Sequence, residues 1–137
     1  MTAMEILERV RGYPDQLELL EVQLKLSEDA VANGANSPEM LEEVEDIAHS
    51  ILELNRKHAA ELEAVARMLK LLPATTAKVM NRYYVKGQSY GLISDKMTFS
   101  TSYIRKQVAK GRKALAGLKH AEVVAMLPDW YMEEDEI

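Results

Sequence analysis

The chain contains no cysteine, which excludes disulfides, iron–sulfur clusters and thiolate zinc sites and suits a reducing compartment. Phenylalanine and tryptophan occur once each, and glycine and proline supply only six and four of the 137 residues. No apolar run approaches the roughly 20 residues a bilayer-spanning helix needs, so no membrane partner is expected. The first residues carry acids where a secretion signal needs positive charge and then an apolar stretch. No glycine-rich phosphate loop, dinucleotide fingerprint or pair of catalytic carboxylates occurs; neither enzymatic activity nor a cofactor is expected. Leucine, alanine, glutamate, methionine and lysine are plentiful, a composition that favours helix throughout. The expectation is a soluble, intracellular, all-α protein of one ordinary domain, or of a small domain plus an extended element.

The net charge of −5 conceals a sorting of charge along the chain. Residues 67–120 hold twelve Lys or Arg and one acid, Asp95, for a net +11. Residues 1–66 hold five bases and fifteen acids, and residues 121–137 hold six acids and no base. A run of like charge is most often a solvated face. A basic block of this size in an acidic protein is also the footprint of a surface that meets a polyanion. The apolar and turn residues inside the block favour the second reading.

The acidic half reads as helices. A short amphipathic segment, Met4 to Arg11, is expected to end at Gly12-Tyr13-Pro14, with Pro14 in the first turn of the next helix. Leu17, Leu20, Leu24 and Val31 then line one helical face, and Asn33-Gly34 is a stop. Ser37-Pro38-Glu39 is a strong start, with a capping hydroxyl, proline at the first helical position and an acid at the positive end of the dipole. A helix from Pro38 to about Leu72 carries a heptad seam: Leu41, Val44, Ala48, Ile51, Asn55, His58, Leu62, Val65, Leu69 and Leu72. Asn55 and His58 form a polar layer that can set register. The seam is open to two partners, the 15–33 helix folded back as a hairpin or a second subunit. A hairpin that also dimerises through Leu41, Val44, Ile51, Asn55, His58, Leu62 and Val65 uses both.

Pro73 ends that helix. Thr75 to Lys86 follows with Val79, Met80, Tyr83 and Tyr84 as its apolar face and Gly87 as its C-cap. Ser89 caps a short helix presenting Leu92, Ile93 and Met97; Thr98-Phe99 connects; Ser100 caps the last long helix. There Ile104, Val108, Gly111 and Leu115 fall on one face, where Gly111 permits close helix approach. Ser102, Lys106, Ala109 and Lys113 cluster opposite, flanked by Tyr103, Arg105 and Lys110. Two helices joined by a tight turn predict a helix-turn-helix. Small and polar residues near the helix start and cations beyond are the layout of a helix entering a major groove of double-stranded DNA. Ser100 and Thr101 begin that helix. Ser102, Tyr103, Arg105 and Lys106 are the candidates for base contacts, and Lys110, Arg112 and Lys113 for phosphates. Arg105 leads, since a guanidinium pairs bidentately with guanine. The implied division is 1–72 for oligomerisation, 73–120 for DNA and 121–137 as a loosely ordered acidic tail. Folding of that tail over the basic face would mask it, so removing residues 128–137 would raise DNA affinity.

From Asn81 to Leu115, and at Tyr83 to Gly87, Ser89, Ile93, Met97, Ser100 and Ile104 in particular, the chain resembles the helix-turn-helix of sigma-70 region 4. It is closer still to that region as carried by small phage and prophage regulators of the ArpU and RinA type. The resemblance implies sequence-specific DNA binding, control of phage gene expression and residence in the cytoplasm of a bacterial host cell. Leu92 stands where that pattern often has an acid, Ser94 where it has alanine, and Thr98 where it favours glycine. A positive φ at Thr98 would be strained.

Bland readings hold elsewhere. His49, His58 and His120 lack the spacing and acidic partners of a metal site, so no metal is expected. The Ser and Thr residues around 98–102 have no base that would make a nucleophile. Met40, Met68, Met80, Met97 and Met126 are core filler. Trp130-Tyr131 is expected to be a loose end, with a peptide that docks on RNA polymerase as the sharper reading. Two rival functions stand beside the regulator: the small subunit of a phage packaging terminase, and a protein-interaction module whose basic face meets an acidic partner such as RNA polymerase.

Overall fold

The computed structural model describes residues 1–34 and 36–131, which are helical with no strand. In chain order the helices are α1 (Ala3–Ala32), α2 (Pro38–Leu69), α3 (Ala74–Met80), α4 (Tyr90–Met97), α5 (Thr101–Ala116) and α6 (His120–Val124). A π-helical turn, Asn81–Val85, extends α3. No helix among the described residues is long and apolar enough to cross a membrane.

The chain divides into two compact units, one of Met1–Gly12 with Ala59–Ile137 and one of Tyr13–His58. The division therefore falls inside α1 and inside α2, not at residue 72. Among the described residues, all twenty buried apolar ones belong to the first unit. Ile6, Leu7 and Val10 of α1, Ala64, Val65 and Met68 of α2, and Val79, Met80, Tyr84, Ile93, Ile104, Val108 and Leu115 beyond them form one core. Val65, expected on an oligomerisation seam, is fully buried in that core, as are nearly all of Leu69 and Leu72. The last two turns of that heptad pack into the chain's own core.

One buried carboxylate organises the first unit. Glu61 is 4% exposed and accepts from Arg9 Nε through both oxygens at 3.0 Å. The Tyr131 hydroxyl donates to the same carboxylate at 2.8 Å. Three donated hydrogen bonds offset the cost of burying this carboxylate. Burial opposes the charge on Arg9, but Glu61 and Tyr131 outweigh it and raise the guanidinium above its ordinary value. The tail is thus held as far as Tyr131, which is 3% exposed, with Val123 and Leu127 in the core. Trp130-Tyr131 is not a loose end. The acids Glu133 to Glu136, the basis of the masking idea, lie outside the described residues.

The second unit is built differently. Leu17, Leu20, Leu24 and Val31 are half-buried, and Ser27 is the buried residue that completes their heptad. On α2, Val44, Ile47, Ala48, Ile51 and Leu54 are half-buried. The rings of Tyr13 and His58 stack 3.5 Å apart, and the Tyr13 hydroxyl donates to Asn55 Oδ1. The polar layer therefore has a partner within the chain. Leu41, from the same expected seam, is 48% exposed.

Pro14 does not start a helix; α1 runs through it. Proline lacks the N–H that would bond to the carbonyl of Val10, a cost of about 3 kcal/mol in a helix interior. Burial of Ile6, Leu7 and Val10 on one side and the Tyr13 contacts on the other hold the helix together across it.

Candidate nucleic-acid interface

Local capping builds the basic segment. Gly87 takes φ +67° at the end of the π-helical turn. Ser89 Oγ accepts from Leu92 N and starts α4, and Ser100 Oγ accepts from Tyr103 N and starts α5. Between α4 and α5, Thr98 sits at φ 58°, the left-handed conformation a threonine adopts at a cost. The Ser94 hydroxyl donates to the carbonyl of Phe99 and braces this turn. The serine that departs from the alanine of the resemblance thus has a task.

Packing then decides which side of α5 faces water. Ile104, Val108, Gly111 and Leu115 are buried. Gly111 lies against Met80; a Cβ there would come within 2.8 Å of its sulfur, so glycine lets α3 and α5 approach closely. Thr76 donates to Gln107 Oε1 at 2.6 Å along the same contact. The opposite face is open: Thr101, Ser102, Tyr103, Arg105, Lys106, Ala109, Lys110 and Lys113 are all exposed, as is Ser100 at the cap. Arg105 lies with its guanidinium 5.5 Å from the Tyr90 ring, which steadies it without using its hydrogen-bond donors.

Arg112 is placed apart from this face. Its Nε donates to the Tyr84 hydroxyl, and its Nη2 lies 3.9 Å from Glu8 of α1. The bond to Tyr84 raises the guanidinium above its ordinary value, while burial pushes the Tyr84 phenol up. Arg112 serves the framework more than the surface. A stack continues beside it: Tyr83 lies parallel to Tyr90 at 4.8 Å, and Arg11 covers the Tyr83 ring at 3.8 Å while donating to the Tyr83 carbonyl.

Sequence reasoning missed a second cationic feature. An open groove of about 540 Å³ is lined by Thr75, Lys78, Asn81, Arg82, Lys86, Met97 and Phe99. The four-residue spacing of Lys78, Arg82 and Lys86 was legible as one helical edge, but the concavity needed the α4–α5 turn. Phe99 is 38% exposed at its rim and packs on Tyr103, ring centres 4.7 Å apart. Among the described residues, no group of three or more His, Cys, Asp or Glu is arranged to hold a metal ion. Comparison with protein-family models, with curated proteins and with solved structures gives no match to this chain.

Proposed function

We propose that the protein is a non-enzymatic, sequence-specific DNA-binding transcription regulator of phage or prophage type. In this reading α4, the turn at Thr98 and α5 form a helix-turn-helix, and α5 enters the major groove. One observation carries it: α5 is buried along Ile104, Val108, Gly111 and Leu115, and its other side presents Ser102, Arg105, Lys106, Lys110 and Lys113 to solvent. Small and polar groups at the helix start suit base edges, and the cations beyond suit phosphates. The likeness of residues 81–115 to sigma-70 region 4 in ArpU- and RinA-type regulators supports the same assignment.

The protein acts as a dimer in this reading, through its 13–58 unit. Leu19, Val22 and Leu26 are 60%, 50% and 65% exposed and form a heptad stripe on α1. Paired antiparallel with a second copy, Leu19 opposite Val22, the stripe sets Glu18 beside Lys25 of the other chain, twice by symmetry. Light scattering on the full chain is expected to give a dimer, and a ring of many subunits would favour the packaging terminase reading. For DNA, binding to genomic fragments is measured across salt. Affinity falls as salt rises, with a log–log slope near −0.9 per phosphate contacted. Lys113→Ala weakens all duplexes alike, whereas Arg105→Ala erodes preference between sequences, by about 1–3 kcal/mol at one position. Absence of duplex binding at low salt, with an acidic protein bound instead, would establish the interaction-module reading.

A further inference from the structure

We infer that the groove lined by Lys78, Arg82 and Lys86 is a phosphodiester-binding site that grips one DNA strand beside α5. The inference rests on the duplex-binding reading above and adds to it a set of residues outside α5.

The groove's cations are uncompensated. Among the described residues, the ion pairs place Arg9 on Glu61, Arg67 on Glu63, Lys25 on Asp29 and Arg112 near Glu8. None of Lys78, Arg82 or Lys86 has an acid within such reach, and Arg82 donates only to the neutral Gln88 side chain at 3.4 Å. Like charges set in a row repel, so the row costs the fold and relieves nothing within it. A bound anion relieves it.

The groove's shape and chemistry select the anion. Its polar lining is all donors or donor-capable: two ammonium groups, one guanidinium, the Thr75 hydroxyl and the Asn81 amide, with no carboxylate. Its apolar side is Met97 and Phe99, which flank the turn that leads into α5. Three cations in a row fit a strand with repeated charge better than a single small anion. Position agrees. Phe99 lines the groove and packs on Tyr103 in the first turn of α5, so the row lies beside the start of that helix. A major groove about 12 Å wide is bounded by two sugar–phosphate strands, and a helix within it leaves each strand to neighbouring elements. The basic wall of the groove meets one of them.

The test uses the full chain with all three residues changed together, Lys78→Gln, Arg82→Gln and Lys86→Gln, binding a selected genomic duplex and a random duplex across salt. The salt slope is expected to flatten by about 2–3, three contacts at roughly 0.9 each. Affinity should fall on both duplexes by the same factor, leaving their ratio unchanged, while Arg105→Ala in parallel lowers that ratio. Lys78→Arg, Arg82→Lys and Lys86→Arg together should keep the wild-type slope, which separates lost charge from lost fold. A wild-type slope in the glutamine variant, with wild-type duplex binding intact, overturns the groove assignment and leaves α5 standing. A changed ratio between duplexes overturns it too, because the groove would then read bases. Failure of the wild-type chain to bind any duplex at low salt sinks both.

Discussion

The two units of this chain share the long helices α1 and α2, yet only one of them has an interior. Among the described residues, the unit of Met1–Gly12 and Ala59–Ile137 holds every buried apolar side chain, whereas Tyr13–His58 buries only Ser27. The difference comes from layering. In the first unit α3, α4 and α5 present apolar faces to one another and to the ends of α1 and α2, so a side chain such as Ile93 or Leu7 is enclosed. In the second, two amphipathic helices offer one half-covered seam, and Leu19, Val22, Leu26, Leu41 and Leu52 stay exposed. Two helices packed along one seam leave their outer faces uncovered, so within this unit no apolar side chain is enclosed on all sides.

Paired substitutions test that contrast. Leu7→Ala, which opens a cavity in the enclosed core, should cost about 3 kcal/mol in urea unfolding, and Leu20→Ala in the half-buried seam about 1 kcal/mol. Hydrogen exchange should show the amides of α1 between residues 17 and 31 opening at lower free energy than those of α5. Equal losses for the two alanines would mean that the 13–58 seam is enclosed as fully as the core, and would break the contrast.

The two tyrosine hydroxyls sharpen the comparison. Tyr131→Phe removes a donor from buried Glu61 and should cost about 2 kcal/mol, while Tyr13→Phe removes a surface bond to Asn55 and should cost about 0.5 kcal/mol or less. Thr98→Gly relieves the left-handed turn before α5 and should stabilise the basic unit by about 1 kcal/mol, read as a higher urea midpoint at unchanged slope. The smallest effect concerns pH. Burial raises the Tyr84 phenol above its usual value of 10.0, so the unfolded chain gives up that proton first. Its contribution is present below pH 10 and shrinks as pH rises beyond it, and the decline in stability above pH 10 should be shallower in Tyr84→Phe.

Local signals were legible in the sequence because local chemistry writes them. Ser37, Ser89 and Ser100 are capping hydroxyls, Gly87 takes positive φ, and Gly111 lies against Met80, each as its position in the helical pattern suggested. Thr98 takes the positive φ that would be costly for a threonine, so the turn keeps the conformation for which glycine is favoured. The exposed side of α5 also follows from periodicity, since one apolar stripe leaves one free face. Partnerships across long separations were hidden. Nothing near Glu61 in the sequence announces Arg9 or Tyr131, and a heptad does not say which apolar surface it meets, so Val65 reads equally well as interface or core. Pro14 misled because its strong local preference is overruled by packing on both sides. The π-helical turn at Asn81–Val85 has no marker of its own, and it inserts the extra residue that sets Tyr84 inward and Tyr83 against Tyr90.

The clasp of Arg9, Glu61 and Tyr131 has a consequence for how the chain is made. These residues lie 52 and 70 positions apart along the backbone, so the pocket around the carboxylate closes only after translation has passed residue 131. A chain stopped before residue 131 would leave Glu61 without its tyrosine donor and the core without its last side chain, so a late truncation should destabilise far more than its few lost residues suggest.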